Sequence, residues 1–333
     1  ASKGSGLNLQ NLKRGSFLRK AIMAPEGYML VVCDLAQIEP RVLAWLAGYD
    51  VMLDIFRAGG DPYAAFGAQM FGIPGLSKDS HPDLRQSAKS ALLGAGYGLG
   101  WAAFAAQLLT GFLGAPPTRY DKTFAKQLGA DAEYVQKFTD WEVNLEKLAD
   151  IPHNCTDQEL FVHAIATKKI IDKYRDAADS VVQFWGICQN LIHKSLMNGD
   201  EVPYKCVTFK KEEVVLPSGL SLRYNDLKGE PDDKGRVQWV YGPSSKKLYG
   251  GKLTENIVQA VARCVMTDGM LRIQERYPCV LTVHDEVVCL VPEAEAEDAK
   301  TWVLAQMVME PTYMPGIPLD AEADVAHRYG DAK

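Results

Sequence analysis

The sequence predicts a mixed α+β fold, and three observations carry that expectation. Two short valine-rich apolar runs, at 28–33 and 280–291, read as buried strands. Stretches at 38–48, 82–107, 168–196 and 253–276 repeat apolar residues at helical spacing. Each strand run also meets an aspartate, Asp34 closing the first and Asp285 interrupting the second. With 333 residues the chain has room for about two domains and a core that needs no disulfide or metal. Its 47% hydrophobic and 23% charged residues are the balance of a folded globular protein. No run of 18 apolar residues occurs, which excludes a spanning helix, and no basic and apolar leader opens the chain.

Tyr28 to Cys33 is the first strand. Asp34 ends it, and a helix from Ile38 follows, with Pro40 tolerated in its first turn and Gly48 as its stop. The helical pattern from Pro82 runs into Gly94, Gly96, Gly98 and Gly100. Those glycines follow no strand and lack the lysine of a phosphate-cradling loop, so they predict close packing or a bend. Residues 110–165 show no strong period and read as an insertion of short helices and loops. A long amphipathic helix is predicted at 168–196, then a hairpin over 202–224 that turns at Pro217-Ser218-Gly219. The run from Val280 to Val291 predicts strand, tight turn, strand, with His284 and Asp285 in the turn. Pro292 starts a last helix whose first turn is acidic, as the helix dipole favours.

Seven cysteines, an odd number without a C-x-x-C, predict reduced thiols. His153, Cys155 and His163 match no strong zinc spacing. The net charge of −6 argues against indiscriminate coating of nucleic acid. The charge is unevenly placed, however: residues 1–20 hold five bases and no acid, while 285–333 hold eleven acids and three bases. Lysines and arginines at 168, 169, 173 and 175 make a second basic stretch suited to following phosphates.

Two constellations could carry chemistry. Strand-end carboxylates such as Asp34 and Asp285 can hold a pair of divalent cations about 4 Å apart for in-line phosphoryl transfer. Taken alone, Asp34 is better explained as a cap of the following turn or helix, whereas Asp285 inside an apolar hairpin is harder to explain that way. Arg85 and Lys89 lie one helical turn apart and continue to Leu93 and Tyr97, a stripe that runs cationic, cationic, apolar, aromatic. Arginine and lysine there could grip phosphates while the last two pack on a base, or the stripe could be an exposed basic turn entering a core.

Taken together and in order, these residues resemble the family A DNA polymerases, the bacterial polymerase I type and its phage members. The stretch Asp34-Leu35-Ala36-Gln37-Ile38-Glu39-Pro40-Arg41 is similar to the family's first motif, D-Y-S-Q-I-E-L-R. Arg85 through Tyr97-Gly98 resembles R-x-x-x-K-x-x-x-F-x-x-x-Y-G, and Val283-His284-Asp285-Glu286 resembles V-H-D-E. Asn8-Leu9-Gln10-Asn11 resembles the segment that opens the palm. The resemblance extends over nearly all of the chain apart from about 110–165.

The resemblance implies a polymerase right-hand fold, with an antiparallel-sheet palm at 1–60 and 201–333 and helical fingers at 61–200. Thumb and exonuclease would lie upstream, outside this chain. The implied activity is template-directed addition of dNTPs to a primer 3′-hydroxyl. Two magnesium ions (Mg2+), with manganese able to substitute, would be held by Asp34, Asp285 and the Leu35 carbonyl. Lys89 and Glu286 join the two aspartates as implied catalytic groups. Arg85, Lys89, Leu93, Tyr97, Glu39, Gln37 and Tyr63 would bind the nucleotide, and Arg41, Gln259, His284, Asn8, Gln10 and Asn11 the DNA. Leu93 and Tyr63 replace the family's usual aromatic and histidine, Glu255 replaces an asparagine, and Ala1 stands where a minor-groove arginine is common. Implied partners are primer–template DNA, dNTPs and a separate thumb or exonuclease polypeptide, with no membrane, in a bacterial or phage-infected cytoplasm beside the nucleoid. Two other readings stand: a non-catalytic DNA-binding half of a split polymerase, and a single-subunit RNA polymerase-like enzyme, against which Glu39 argues for deoxyribonucleotides.

Overall fold

The computed structural model describes residues 12, 15–111, 116–232 and 235–332. In chain order its elements are α1 (Phe17–Ala21), β1 (Tyr28–Leu35), α2 (Ile38–Ala47), α3 (Asp50–Arg57), α4 (Pro62–Phe71), α5 (Pro82–Ala95) and α6 (Trp101–Thr110). Then come α7 (Lys122–Gln127), α8 (Ala132–Asp140), α9 (Glu142–Ala149), α10 (Asp157–Ala177) and α11 (Asp179–Leu191), which continues as a π-helix over Ile192–Met197. They are followed by β2 (Val202–Tyr204), β3 (Val207–Lys210), β4 (Glu213–Val215), β5 (Ser221–Arg223), β6 (Lys228–Pro231), β7 (Val237–Tyr241) and β8 (Lys246–Leu248). The last are α12 (Gly250–Gln274), β9 (Cys279–Val283), β10 (Glu286–Pro292), α13 (Ala296–Met307) and β11 (Ala321–Ala326).

The chain divides into two compact units. The first takes residues up to Trp45, Gly199–Asn225 and those from Asn256 onward; the second takes Leu46–Asn198 and Asp226–Glu255. The division falls at 45 rather than the expected 60, because α3 packs on α4, and 226–255 joins the helical unit instead of the sheet unit.

In the first unit an antiparallel sheet runs β11-β1-β10-β9. Its central strand β1 is covered on both faces: Leu30 and Val32 belong to a cluster with Val288, Ala326 and Tyr329, and Val31 and Cys33 are fully buried on the other side. Two-sided burial explains why 28–33 reads as a continuous apolar run rather than an alternation. α13 packs against β1 and β11. A second sheet, β2-β3-β4-β5, turns at Gly219 as the sequence predicts.

The second unit is mainly helical, with α4 on α5, and α10 against α5, α6 and α7, plus the small sheet β6-β7-β8. The helical pattern of 82–107 is broken at residues 96–100, where Gly98 adopts a left-handed φ of +77°. α10 starts at Asp157, eleven residues before the predicted start, because Thr156 and Glu159 form a reciprocal capping box ahead of it. It ends at Ala177, so the predicted long helix is two. The seven cysteines are free thiols. His163 is a core residue: its Nδ1 accepts from the Tyr120 amide at 3.0 Å and its Nε2 meets the Ala105 carbonyl at 3.2 Å. No helix among the described residues is long and apolar enough to cross a membrane.

Candidate active site

β1 and the β9–β10 hairpin build the first unit's site. In the ladder Asp34 stands opposite Glu286 on β10 and opposite Glu322 on β11. Asp285 lies one residue before Glu286 in a two-residue turn, and its carbonyl accepts from the Leu35 amide at 3.3 Å. His284 supplies the positive φ, +53°, that such a tight turn needs at its first residue. Asp34, Leu35 and Asp285 therefore adjoin at one end of a rigid sheet, both aspartates half-buried.

Three acids in register across neighbouring strands are unfavourable unless something positive relieves them. For Glu286 the relief is internal. Its carboxylate, in a residue only 6% exposed, accepts from Tyr329 Oη and faces Arg19 at 3.7 Å, and Arg19 in turn donates to the same Tyr329 hydroxyl. Burial, then the Glu286 charge, push the Tyr329 phenol up to about 12. The Cys33 thiol is likewise pushed up to about 12, by burial first and then by Asp34 and Glu286. Glu286, expected among the catalytic groups, is held in β10 with its carboxylate on Arg19 and Tyr329. Among the described residues no cluster of three or more His, Cys, Asp or Glu side chains is placed to ligate a metal, so any ion at Asp34 and Asp285 would draw its remaining ligands from elsewhere.

The turn after β1 is held from within. Arg41, 4% exposed, donates through Nε to the Ala36 carbonyl and through Nη1 to the Pro318 carbonyl, both at 2.8 Å, and pairs with Asp320 at 3.6 Å. Burial lowers its pKa, with Asp320 opposing. Held in this way, the guanidinium braces the Ala36–Gln37 turn, where Gln37 takes a φ of +52°. Glu39 is half-buried in the first turn of α2.

Gln259 is exposed on α12, and Arg263 follows it one turn later. Arg263 donates to the His284 carbonyl at 2.9 Å, tying α12 to the hairpin tip. The i, i+4 spacing from Gln259 was the sequence signal for this residue, which motif reading passes over. Asn8, Gln10 and Asn11 lie outside the described residues.

The second unit carries the cationic stripe. Arg85, Lys89 and Leu93 occupy one half-exposed line of α5, and Tyr97 follows in the turn after it; Ala88, Ala91 and Leu92 are buried on the opposite side. Arg85 Nε donates to Asp61 at 2.5 Å, while Asp61 also caps α4 by accepting from the Tyr63 and Ala64 amides. Burial works against the Asp61 carboxylate, but the Arg85 bond and the two amides outweigh it and hold its pKa low. Tyr63 is 5% exposed, its phenol pushed up to about 12 by burial, and its ring lies beneath Arg85 at 5.3 Å and Lys89 at 5.7 Å. Its ring thus backs the two cations of the stripe.

Close backbone packing fixes Tyr97. A Cβ on Gly251 would overlap the Tyr97 carbonyl oxygen, and one on Gly250 the Trp185 carbonyl. Trp185 Nε1 donates to the Gly96 carbonyl at 2.9 Å.

The profile of DNA polymerase family A matches residues 4–183. The chain is 30% identical over 326 residues to the DNA polymerase of Bacillus phage SP02, covering 94% of this chain and 43% of that protein. It is 27% identical over 335 residues to the thermostable DNA polymerase I of Thermus filiformis, covering 98% of this chain and 30% of the relative. Among solved structures, the POL domain of Pol1 from M. smegmatis, in complex with DNA primer-template and dNTP, matches with a TM-score of 0.59 at 18% identity, over 98% of this chain and 45% of that one. The chain spans less than half the length of each of these.

Proposed function

The chain belongs to the family A DNA polymerases, and from that premise we propose that it adds deoxynucleotides to a primer 3′-hydroxyl under template direction, releasing pyrophosphate. The observation that carries the reading is the junction of β1 with the β9–β10 hairpin, which sets Asp34 and Asp285 side by side.

The donor set fits magnesium. Two carboxylates and the Leu35 carbonyl are hard oxygen donors, and Mg2+ is commonly held by one or two carboxylates with substrate phosphates and water completing its shell. Zinc would require three or four protein ligands. When bound as a pair, magnesium ions neutralise phosphate charge and lower the pKa of the attacking hydroxyl.

The protein's own groups do the positioning. Asp34 and Asp285 present fixed charge from rigid strand ends. Arg85, oriented through Nε by Asp61, retains further N–H donors for phosphate oxygens, and Lys89 adds a point charge one turn along. Leu93 and Tyr97 pack on the base. Glu39 fills the space a ribose 2′-hydroxyl needs, which selects deoxynucleotides. Gln259, Arg263 and His284 line the primer side. Catalysis is then alignment plus charge neutralisation, as in other phosphoryl transfers.

Primer extension by Asp34→Asn and Asp285→Asn tests the reading. Both substitutions keep side-chain volume and remove charge. Incorporation should fall by about three orders of magnitude or more, a loss of roughly 4 kcal/mol of transition-state stabilisation. Near-normal extension by either variant in magnesium would refute the assignment.

A further inference from the structure

The second unit contains a cavity of about 410 Å³ among α6, α8, α9 and α10, inside the stretch that carries none of the family's motifs. Its wall holds Tyr134, Phe138 and Trp141 together with Lys137, Lys168 and Arg175. Trp141 is 68% exposed and makes no ring contact among the described residues. An indole left open at the mouth of a cavity is a different matter from a single apolar residue on a flat surface.

The cations around it are of two kinds. Lys137 and Lys168 are paired, with Glu133 and Asp172 at 2.7 Å each. Lys169 lies over the Tyr134 ring at 4.2 Å, and Arg175 is exposed; neither these two nor Lys173 has an ion pair among the described residues. Burial first and then the Lys169 charge lower the pKa of Lys173, with Asp176 opposing.

Arg175 also lines a second cavity, of about 390 Å³, with Gly98, Trp185 and Tyr249. A cationic side chain shared by two cavities joins the turn after Tyr97 to the aromatic cavity at Trp141.

We propose that the Trp141 cavity binds single-stranded nucleic acid, the unpaired template beyond the reacting base pair, with Trp141 stacking on a base and Arg175, Lys169 and Lys173 following its phosphates. Open aromatic faces combined with a tracking line of cations are what non-sequence-specific single-strand binding uses. The site rests on the polymerase reading above for its location, since a template strand passing Tyr97 would meet Arg175 next.

The experiment uses the whole chain and two primer–templates, one with a single unpaired template nucleotide and one with about ten, within the range such sites occupy. Fluorescence anisotropy gives the affinity for each, and homopolymeric dT of about ten nucleotides is titrated separately with tryptophan emission as readout. The wild-type protein should prefer the long overhang. Trp141→Ala should reduce that preference roughly tenfold, about 1.4 kcal/mol, and abolish most of the dT-dependent quenching. Arg175→Ala should lower the salt dependence of dT binding by about one ion. Both side chains are exposed, so folding is preserved, and circular dichroism checks it. If neither variant changes the overhang preference or the dT titration, the site is refuted, including the case in which the surface instead receives a protein. A wild-type chain that binds dT through Trp141 but extends no primer would refute the polymerase reading and leave the single-strand site standing.

Discussion

Two roles compete for Glu39, half-buried in the first turn of α2. As a helix-capping acid it would be worth some tenths of a kcal/mol. As a barrier to the 2′-hydroxyl, Glu39→Ala should raise ATP use relative to dATP, each tenfold change in the kcat/KM ratio being about 1.4 kcal/mol. The ratio on one template for wild type and variant separates the two roles. His163 is the opposite case, a titratable group spent entirely on structure. Burial first, with Arg119 adding to it and the Ala105 carbonyl opposing, lowers its pKa to about 4, below the ordinary 6.5. Below pH 6.5 the unfolded chain takes up the proton and the folded chain does not, so stability is present above that pH and declines as pH falls towards 4. The loss should approach roughly 3 kcal/mol. Urea denaturation at pH 7 and near pH 4.5 should show a smaller difference in His163→Gln than in wild type. The residues legible in the sequence were those with a fixed spacing: Asp34, Asp285, and the Arg85, Lys89, Leu93, Tyr97 stripe all occupy positions their patterns implied. Asp61 and the Arg19–Tyr329 pair were not legible, because each acts on a partner distant in sequence, up to 310 residues away for Arg19 and Tyr329.

At the scale of elements, the strongest local rules were readable and the tertiary ones were not. β1, α2 and the β9–β10 hairpin lie where apolar period and turn chemistry put them. The early start of α10 was written as Thr156-x-x-Glu159, a capping box ahead of the predicted helix. β11 gave no signal: its sequence, Ala-Glu-Ala-Asp-Val-Ala, is poor in strand formers and becomes a strand because β1 offers it an edge. The start of α12 sets two effects against each other. Helix propensity favours Gly251→Ala by about 1 kcal/mol. The added methyl would overlap the Tyr97 carbonyl, and overpacking of that kind costs about 1–3 kcal/mol. Backbone atoms cannot swing aside as side chains do, so the overlap should win. Gly251→Ala should lower the urea midpoint and raise the KM for dNTP, since Tyr97 shifts with its carbonyl.

For the whole molecule, stability should be graded. β1 and β10 are buried on both faces, with Val31, Val287, Val288 and Cys289 fully enclosed. The short helices α7, α8 and α9 expose much more of themselves. Amide hydrogen exchange should be slowest in β1 and β10 and fastest across 121–150. Equal protection in both regions would contradict this gradient. The pairing of β1 has a consequence for how the protein is made. Both of its neighbours, β10 and β11, come from the last fifth of the chain, and Asp34 emerges from the ribosome some 250 residues before Glu286, its partner. Through that interval of synthesis Tyr28–Leu35 has neither of its two native neighbours, and a valine-rich strand with two open edges is a template for wrong pairing. The sheet that carries Asp34 is therefore among the last parts of the nascent chain to close, and a chain released before residue 286 has no partner for the strand that bears this aspartate.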